Sequence, residues 1–162
     1  MHIEKIKWIA RWRLRKYTSL GYANGLKPFE DNIIEGNILL NAAITDILQM
    51  VGGTASPTAW TNGNARIGVG NGTAAESAGQ TALQGASKFF QPVEANYPQV
   101  SGQTITYRAV FADGDAEFAW EEFGVVNAED DSTGTLLNRR VSSQGTKIAG
   151  QTWTLDLEIT LS

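Results

Sequence analysis

Across residues 152–161 every second side chain is large and apolar. Trp153, Leu155, Leu157, Ile159 and Leu161 alternate with Thr152, Thr154, Asp156, Glu158 and Thr160. Successive side chains point to opposite faces only in extended backbone, so this pattern predicts a strand with one buried and one wet face. Residues 104–111 repeat it, with Ile105, Tyr107, Ala109 and Phe111 set against Thr104, Thr106, Arg108 and Val110. Shorter strands are predicted at 65–69, 117–127 and 136–141, joined by small-residue turns such as 130–134. Strand and helix do not alternate, so a doubly wound parallel sheet is not expected. The prediction is a mainly β fold, an antiparallel β-sandwich of jelly-roll or immunoglobulin-like type. It carries one α-helix near 38–51, where Leu40, Ala43, Ile44, Ile47, Leu48 and Val51 recur at three- and four-residue steps. Asn37 is its expected N-cap, Gly52-Gly53 its expected stop, and core packing the expected role of its apolar side. Residues 73–87, rich in Ala, Ser, Thr, Gly and Gln, are expected to form an ordered loop.

The N-terminal segment differs from the rest in charge. Residues 1–18 hold Lys5, Lys7, Arg11, Arg13, Arg15 and Lys16 against Glu4, a net of +5. Residues 19–162 hold seven basic and sixteen acidic side chains, a net of −9, and the whole chain carries −4. The segment also alternates, with Ile6, Trp8, Ala10, Trp12 and Leu14 on one side and Lys7, Ile9, Arg11, Arg13 and Arg15 on the other. This predicts a strand whose tryptophans dock on something, because a large apolar side chain left in water forfeits roughly 1.5–3 kcal/mol. Turn signals at Gly21, Asn24-Gly25 and Lys27-Pro28 follow. Residues 1–35 are therefore expected to be an extended basic-aromatic arm and linker, and 36–162 the sandwich body. Two alternatives stand here. The segment is an ordinary edge strand with its basic face in solvent, or an arm that meets nucleic acid, a partner protein or the acidic body of a neighbouring copy. Nucleic acid is the disfavoured partner, since the acidic remainder repels a polyanion.

Composition removes most catalytic chemistry from consideration. The 162 residues include no cysteine, which excludes disulfides, thiolate nucleophiles and thiolate metal sites. The single histidine is His2, so a Ser-His-Asp triad or a multi-histidine metal site is not expected. No apolar run approaches the ~18 residues of a membrane span, and no signal peptide is expected.

Three short motifs resemble chemical sites, and each reads as structure. The stretch 68–72, Gly-Val-Gly-Asn-Gly, lacks the Lys-Ser/Thr of a P-loop and reads as a strand ending in a turn. Asp113, Asp115 and Glu117 alternate around Gly114 but lack the further ligands of a calcium loop, so they read as a solvated turn. Glu121 and Glu122 are adjacent and point to opposite faces of a strand, which makes them no acid–base pair. No cofactor or metal is expected, and no enzymatic activity.

Three longer stretches carry a resemblance. The first runs Glu35-Gly36-Asn37-Ile38-Leu39-Leu40-Asn41-Ala42-Ala43-Ile44, followed by Ala65-Arg66-Ile67-Gly68-Val69-Gly70-Asn71-Gly72 and Gln80-Thr81-Ala82-Leu83-Gln84-Gly85-Ala86. The second is Tyr97-Pro98-Gln99-Val100-Ser101-Gly102-Gln103-Thr104-Ile105-Thr106-Tyr107-Arg108-Ala109. The third joins Phe118-Ala119-Trp120-Glu121-Glu122-Phe123-Gly124-Val125-Val126-Asn127-Ala128 to Leu137-Asn138-Arg139-Arg140-Val141, Gln144-Gly145-Thr146-Lys147 and Gly150-Gln151-Thr152-Trp153-Thr154-Leu155. Together, over most of 33–162, they resemble small virion structural proteins of tailed bacteriophages. The third alone also resembles the end domain of phage tail-fibre and collar proteins, in which a Glu-hydrophobic-Gly strand leads to Leu-Leu-x-Arg. The resemblance implies a β-rich virion component and supplies no catalytic residues.

A capsid decoration, or cement, protein on the capsid exterior is the expected function. It would bind the major capsid protein and neighbouring copies of itself, as a dimer or trimer, with no membrane partner. The expected contact residues are Trp8, Arg11, Trp12, Arg13, Leu14, Arg15, Tyr17 and Trp60, the last because its setting is polar. A tail, baseplate or fibre-tip component that binds a host-surface glycan is the alternative, with Trp60, Tyr97 and Trp120 as its aromatic candidates. If the arm attaches by burial, Trp8→Ala and Trp12→Ala should weaken capsid binding more than Arg13→Ala. An exposed ion pair contributes only ~0–1 kcal/mol. Co-sedimentation with capsids ranks the three variants.

Overall fold

A computed structural model describes residues 5–162, so His2 and Glu4 lie outside the described residues. The longest strands are β1 (Trp8–Thr18) and β10 (Gln151–Leu161), and they lie antiparallel, side by side, along their whole length. β2 (Glu30–Glu35) flanks β1 on its other edge, while β7 (Thr104–Phe111) and β6 (Gln99–Ser101) continue beyond β10. The first sheet therefore runs β2-β1-β10-β7-β6. A second sheet runs β3-β9-β8-β4-β5, built from β3 (Ile38–Leu39), β9 (Asn138–Val141), β8 (Glu122–Val126), β4 (Arg66–Gly70) and β5 (Lys88–Pro92). All pairings are antiparallel, and the two sheets pack into a mainly β sandwich as the alternation predicts.

The inner faces meet over aromatic rings. Trp120 sits edge-on between Phe111 at 4.7 Å and Trp153 at 4.8 Å, and Trp12 lies 5.6 Å from Phe123 across the sheets. Such tilted and edge-to-face pairs add about 0.5–1.5 kcal/mol to the burial itself.

The N-terminal strand is no arm. Both of its edges are hydrogen-bonded within the first sheet, to β2 and β10, so it is neither an extended arm nor an edge strand. The division at residue 35 does not follow the packing. The reason is that a strand with one apolar and one charged face is stabilised twice in an interior position. Trp12 and Leu14 become 0% exposed, and the backbone groups of both edges find partners. The linker expected within residues 1–35 contains a five-residue helix, α1 (Ser19–Ala23), and β2. β2 hides only Ile34 fully, and the adjacent Ile33 is exposed beside charged Glu30, Asp31 and Glu35, so no apolar alternation marks it in the sequence.

Helix α2 (Asn41–Gly52) starts three residues after its expected first residue. Its N-cap is Leu40, with no side-chain cap, because Asn37 instead accepts a hydrogen bond from Trp8 Nε1 at 2.9 Å. It stops as expected at Gly53, whose φ of 63° favours a residue without a Cβ. Ala43 is its one fully buried residue, with Ile47 and Met50 half-buried against the core and Leu40 buried at the N-cap, while Ile44, Leu48 and Val51 of the expected apolar face are exposed. Trp60 is also corrected. It is 7% exposed, packs in the core and donates from Nε1 to the Thr135 carbonyl at 3.2 Å.

Trp12→Ala is expected to cost about 3–5 kcal/mol, the range for truncating a buried aromatic. Arg13→Ala should cost under ~1 kcal/mol, as an exposed ion pair does. Deleting residues 1–18 should abolish cooperative unfolding altogether. Urea denaturation followed by tryptophan fluorescence measures all three.

Candidate functional site

The outer face of the first sheet gathers the charged residues of the N-terminal strand. Cross-strand neighbours on one face of a sheet lie close enough to pair. Arg11 opposes Glu35 and contacts it at 3.2 Å, and Arg13 reaches Asp31 at 2.7 Å. Arg15 reaches Asp156 at 3.0 Å, and Asp156 also takes both Nε and Nη2 of Arg108, at 2.7 and 2.6 Å. The hydrogen bond from Arg13 holds the Asp31 carboxyl below its ordinary range, and the bond to Asp156 raises Arg108 further. The basic segment thus meets the acidic remainder of its own chain. Lys16, on the inner side, ends on Glu30 at 2.9 Å and the Gln144 carbonyl at 2.5 Å, with its ammonium 4.5 Å from the Trp153 ring centre.

Of the eight residues expected to touch a partner, Trp12, Leu14 and Trp60 are buried, and Trp8 is half-buried with its indole N–H taken. Trp12, Leu14 and Trp60 are closed to a partner as the chain is folded, whereas Trp8 keeps part of its ring in solvent. Arg11, Arg13, Arg15 and Tyr17 do share a face, the first three already ion-paired and Tyr17 edge-on to Tyr22 at 5.3 Å. Trp120 is 0% exposed, which leaves Tyr97 as the one glycan candidate near the surface.

A second set of residues has a role that the spacing alone did not disclose. Glu122 and Arg139 are both 0% exposed and joined at 2.7 Å. Glu122 also accepts the backbone N–H groups of Gly72, Gln84 and Gly85 at 3.1, 2.9 and 2.6 Å. Arg139 donates to the carbonyls of Ala74 and Ala75 and to Gln80 Oε1. The strand pair β8–β9 thereby holds the loop 71–87 from inside. Gly70 and Gly72 make room for this contact, since a Cβ at Gly70 would lie 2.6 Å from Glu122 Oε1, whereas a Cβ at Gly68 would meet the Phe90 ring. The Glu-hydrophobic-Gly and Leu-Leu-x-Arg signals of the sequence are the two ends of this ion pair. Their conjunction was the legible clue.

The carboxylates at 113–117 are committed to the turn. Asp115 accepts Ala112 N–H, Glu117 accepts Gly114 N–H and Asp113 accepts Gly150 N–H. The buried ammonium of Lys147 takes the Ala112 and Asp115 carbonyls at 2.7 and 2.9 Å, so the cation inside this turn is a side chain. Burial lowers the Lys147 pKa. Among the described residues, no group of three or more Asp, Glu, His or Cys side chains is placed to hold a metal ion.

Exposed apolar residues group at two places, while others, among them Ile9, Ile33, Val100, Ile148 and Leu161, are exposed elsewhere. Ile44, Leu48 and Val51 form a stripe on α2, with Leu48 63% and Val51 82% exposed. Leu20, Leu26 and Phe29 project around α1. No protein family, curated protein or solved structure matches the chain.

Removing one partner of a buried ion pair strands the other charge, at about 3–5 kcal/mol. Glu122→Gln and Arg139→Met should each destabilise by that order, and the double variant by clearly less than their sum. A double-mutant cycle in urea measures the coupling, and additivity would show that the pair does not act as a unit.

Proposed function

We propose that this protein is a non-enzymatic structural component of a tailed-bacteriophage virion, and that it decorates the capsid exterior. The observation that supports this reading is the buried Glu122–Arg139 node. The residues that carry the resemblance to virion proteins are scattered over the chain, yet Gly70, Gly72, Gln80, Gly85, Glu122 and Arg139 converge on it. They act as a staple of the fold and not as a site of chemistry. That suits a rigid body used for attachment.

The attachment surface in this reading is the helix and not the N-terminal strand, both of whose edges are already paired. Ile44, Leu48 and Val51 on α2 offer apolar area to the major capsid protein. Lattice repetition compensates for a modest single contact, because many copies bind a shell at once. Apolar contact is also weakly screened by salt, unlike an ion-pair interface. The second reading, a tail or fibre-tip component, is favoured by one observation, a tyrosine-lined cleft described below.

The test is to mix the full-length protein with shells assembled without it and to sediment them in a salt series. Saturable, stoichiometric binding that persists at high salt and raises the heat resistance of the shells is the expected result. Leu48→Asp should lose binding at unchanged melting temperature, since exposed substitutions shift stability by only about ±0.5 kcal/mol. Absence from shells, with recovery on tails of dissociated virions, would overturn capsid decoration in favour of the tail.

A further inference from the structure

The outer face of the first sheet ends in a cleft of about 350 Å3 walled by three tyrosines. Tyr17 comes from the end of β1, Tyr22 from α1 and Tyr97 from the loop before β6, three segments that only the β1–β10–β7 order brings together. Arg15 and Arg108 also line it, and Glu94 and Asn96 stand at its rim. Its size falls at the lower end of the ~300–1,000 Å3 typical of small-ligand sites.

The cleft is built before any ligand arrives. Asp156 clamps Arg108 by two bonds and Arg15 by a third. The clamped Arg108 guanidinium stacks 5.0 Å from the Tyr97 ring centre. The loop that carries Tyr97 is tied down as well. Asn62 Nδ2 donates to the carbonyls of Glu94 and Tyr97, at 2.9 and 2.6 Å, and Glu94 N–H donates to the Arg108 carbonyl at 2.8 Å. Preorganised walls spare a ligand the entropy of ordering them.

The wall chemistry selects a ligand class. Tyrosine rings give rigid, flat apolar area at low conformational cost, with a hydroxyl at the edge. The C–H face of a pyranose packs on such a ring while its hydroxyls reach outward. Among the described residues, the side chains of Glu94 and Asn96 make no hydrogen bond to other protein groups, which leaves a carboxylate acceptor and an amide for those hydroxyls. Arg15 and Arg108 are both bonded to Asp156, and Glu94 adds a second carboxylate to the lining, so the formal charges at the cleft sum to zero and an anionic ligand finds no net positive site. We propose that the Tyr17–Tyr22–Tyr97 cleft binds a neutral saccharide unit. This inference does not rest on the virion reading.

Amide NMR of the full-length protein, titrated with soluble neutral oligosaccharides (hexose and N-acetylhexosamine di- and trisaccharides) and with uronate-bearing counterparts, tests it. The expected result is saturable shifts at Tyr17, Tyr22, residues 94–97 and Arg108 with a neutral sugar. Tyr22→Ala and Tyr97→Ala should each weaken binding at least tenfold, while Tyr97→Phe retains most of it. Tyr22→Ala replaces an exposed ring on α1, so its folded spectrum keeps the test readable if Tyr97→Ala disturbs its loop. No saturable shift with any neutral sugar, a preference for the uronates, or shifts elsewhere that ignore Tyr22→Ala would overturn the proposal.

Discussion

Eleven residue pairs join β1 to β10, from Trp8 opposite Leu161 to Thr18 opposite Gln151. Nearly everything else depends on that register. It turns Trp12 and Leu14 toward the second sheet and sets Arg13 opposite Asp156 on the outer face. It also brings Tyr17 to the end where Arg108 and Tyr97 lie. Strand side chains repeat every two residues, so a slip of one would send the tryptophans to water and the arginines into the core. The charge on the outer face and the apolar area on the inner face thus specify the same alignment independently.

The Glu122–Arg139 pair does for the second sheet what the β1–β10 register does for the first. Two charges removed from water are costly unless their remaining lone pairs and protons are met. Here the loop 71–87 supplies the partners, through three N–H groups to Glu122 and two carbonyls and Gln80 Oε1 to Arg139. A segment with hardly any regular structure is therefore ordered mainly by a polar centre, with Leu83 as its one buried apolar side chain. The same logic, on a smaller scale, places Lys147 beneath the 112–117 turn.

What was legible in the sequence was the face each residue takes, and what was not was the neighbour beside it. Alternation identified β7, β10 and the strand character of β1, because period two is a local property of extended backbone. It could not say that β1 lies between β2 and β10, since pairing is decided by distant residues. β2 and β5 escaped notice as edge strands with mixed faces. In α2 six apolar positions compete for a narrow contact, and packing admits only part of them. Trp60 misled because its sequence neighbours are polar while its spatial neighbours are not. The tyrosine cleft had no local signal, for its three rings come from three segments, although Tyr17 and Tyr97 each stood out separately.

The neighbour relation of β1 and β10 also sets the order of events during synthesis. β2 follows closely and can cover one edge of β1 as a hairpin, but the other edge waits for residues 151–161. At translation rates of roughly 5–20 residues per second, that wait is on the order of ten seconds. Throughout it, the nascent chain presents an open strand edge and a tryptophan-bearing face to solvent. Non-local pairing of this kind folds slowly and leaves an aggregation-prone surface exposed. β10 therefore acts as the closing piece: until it leaves the ribosome the sandwich cannot shut.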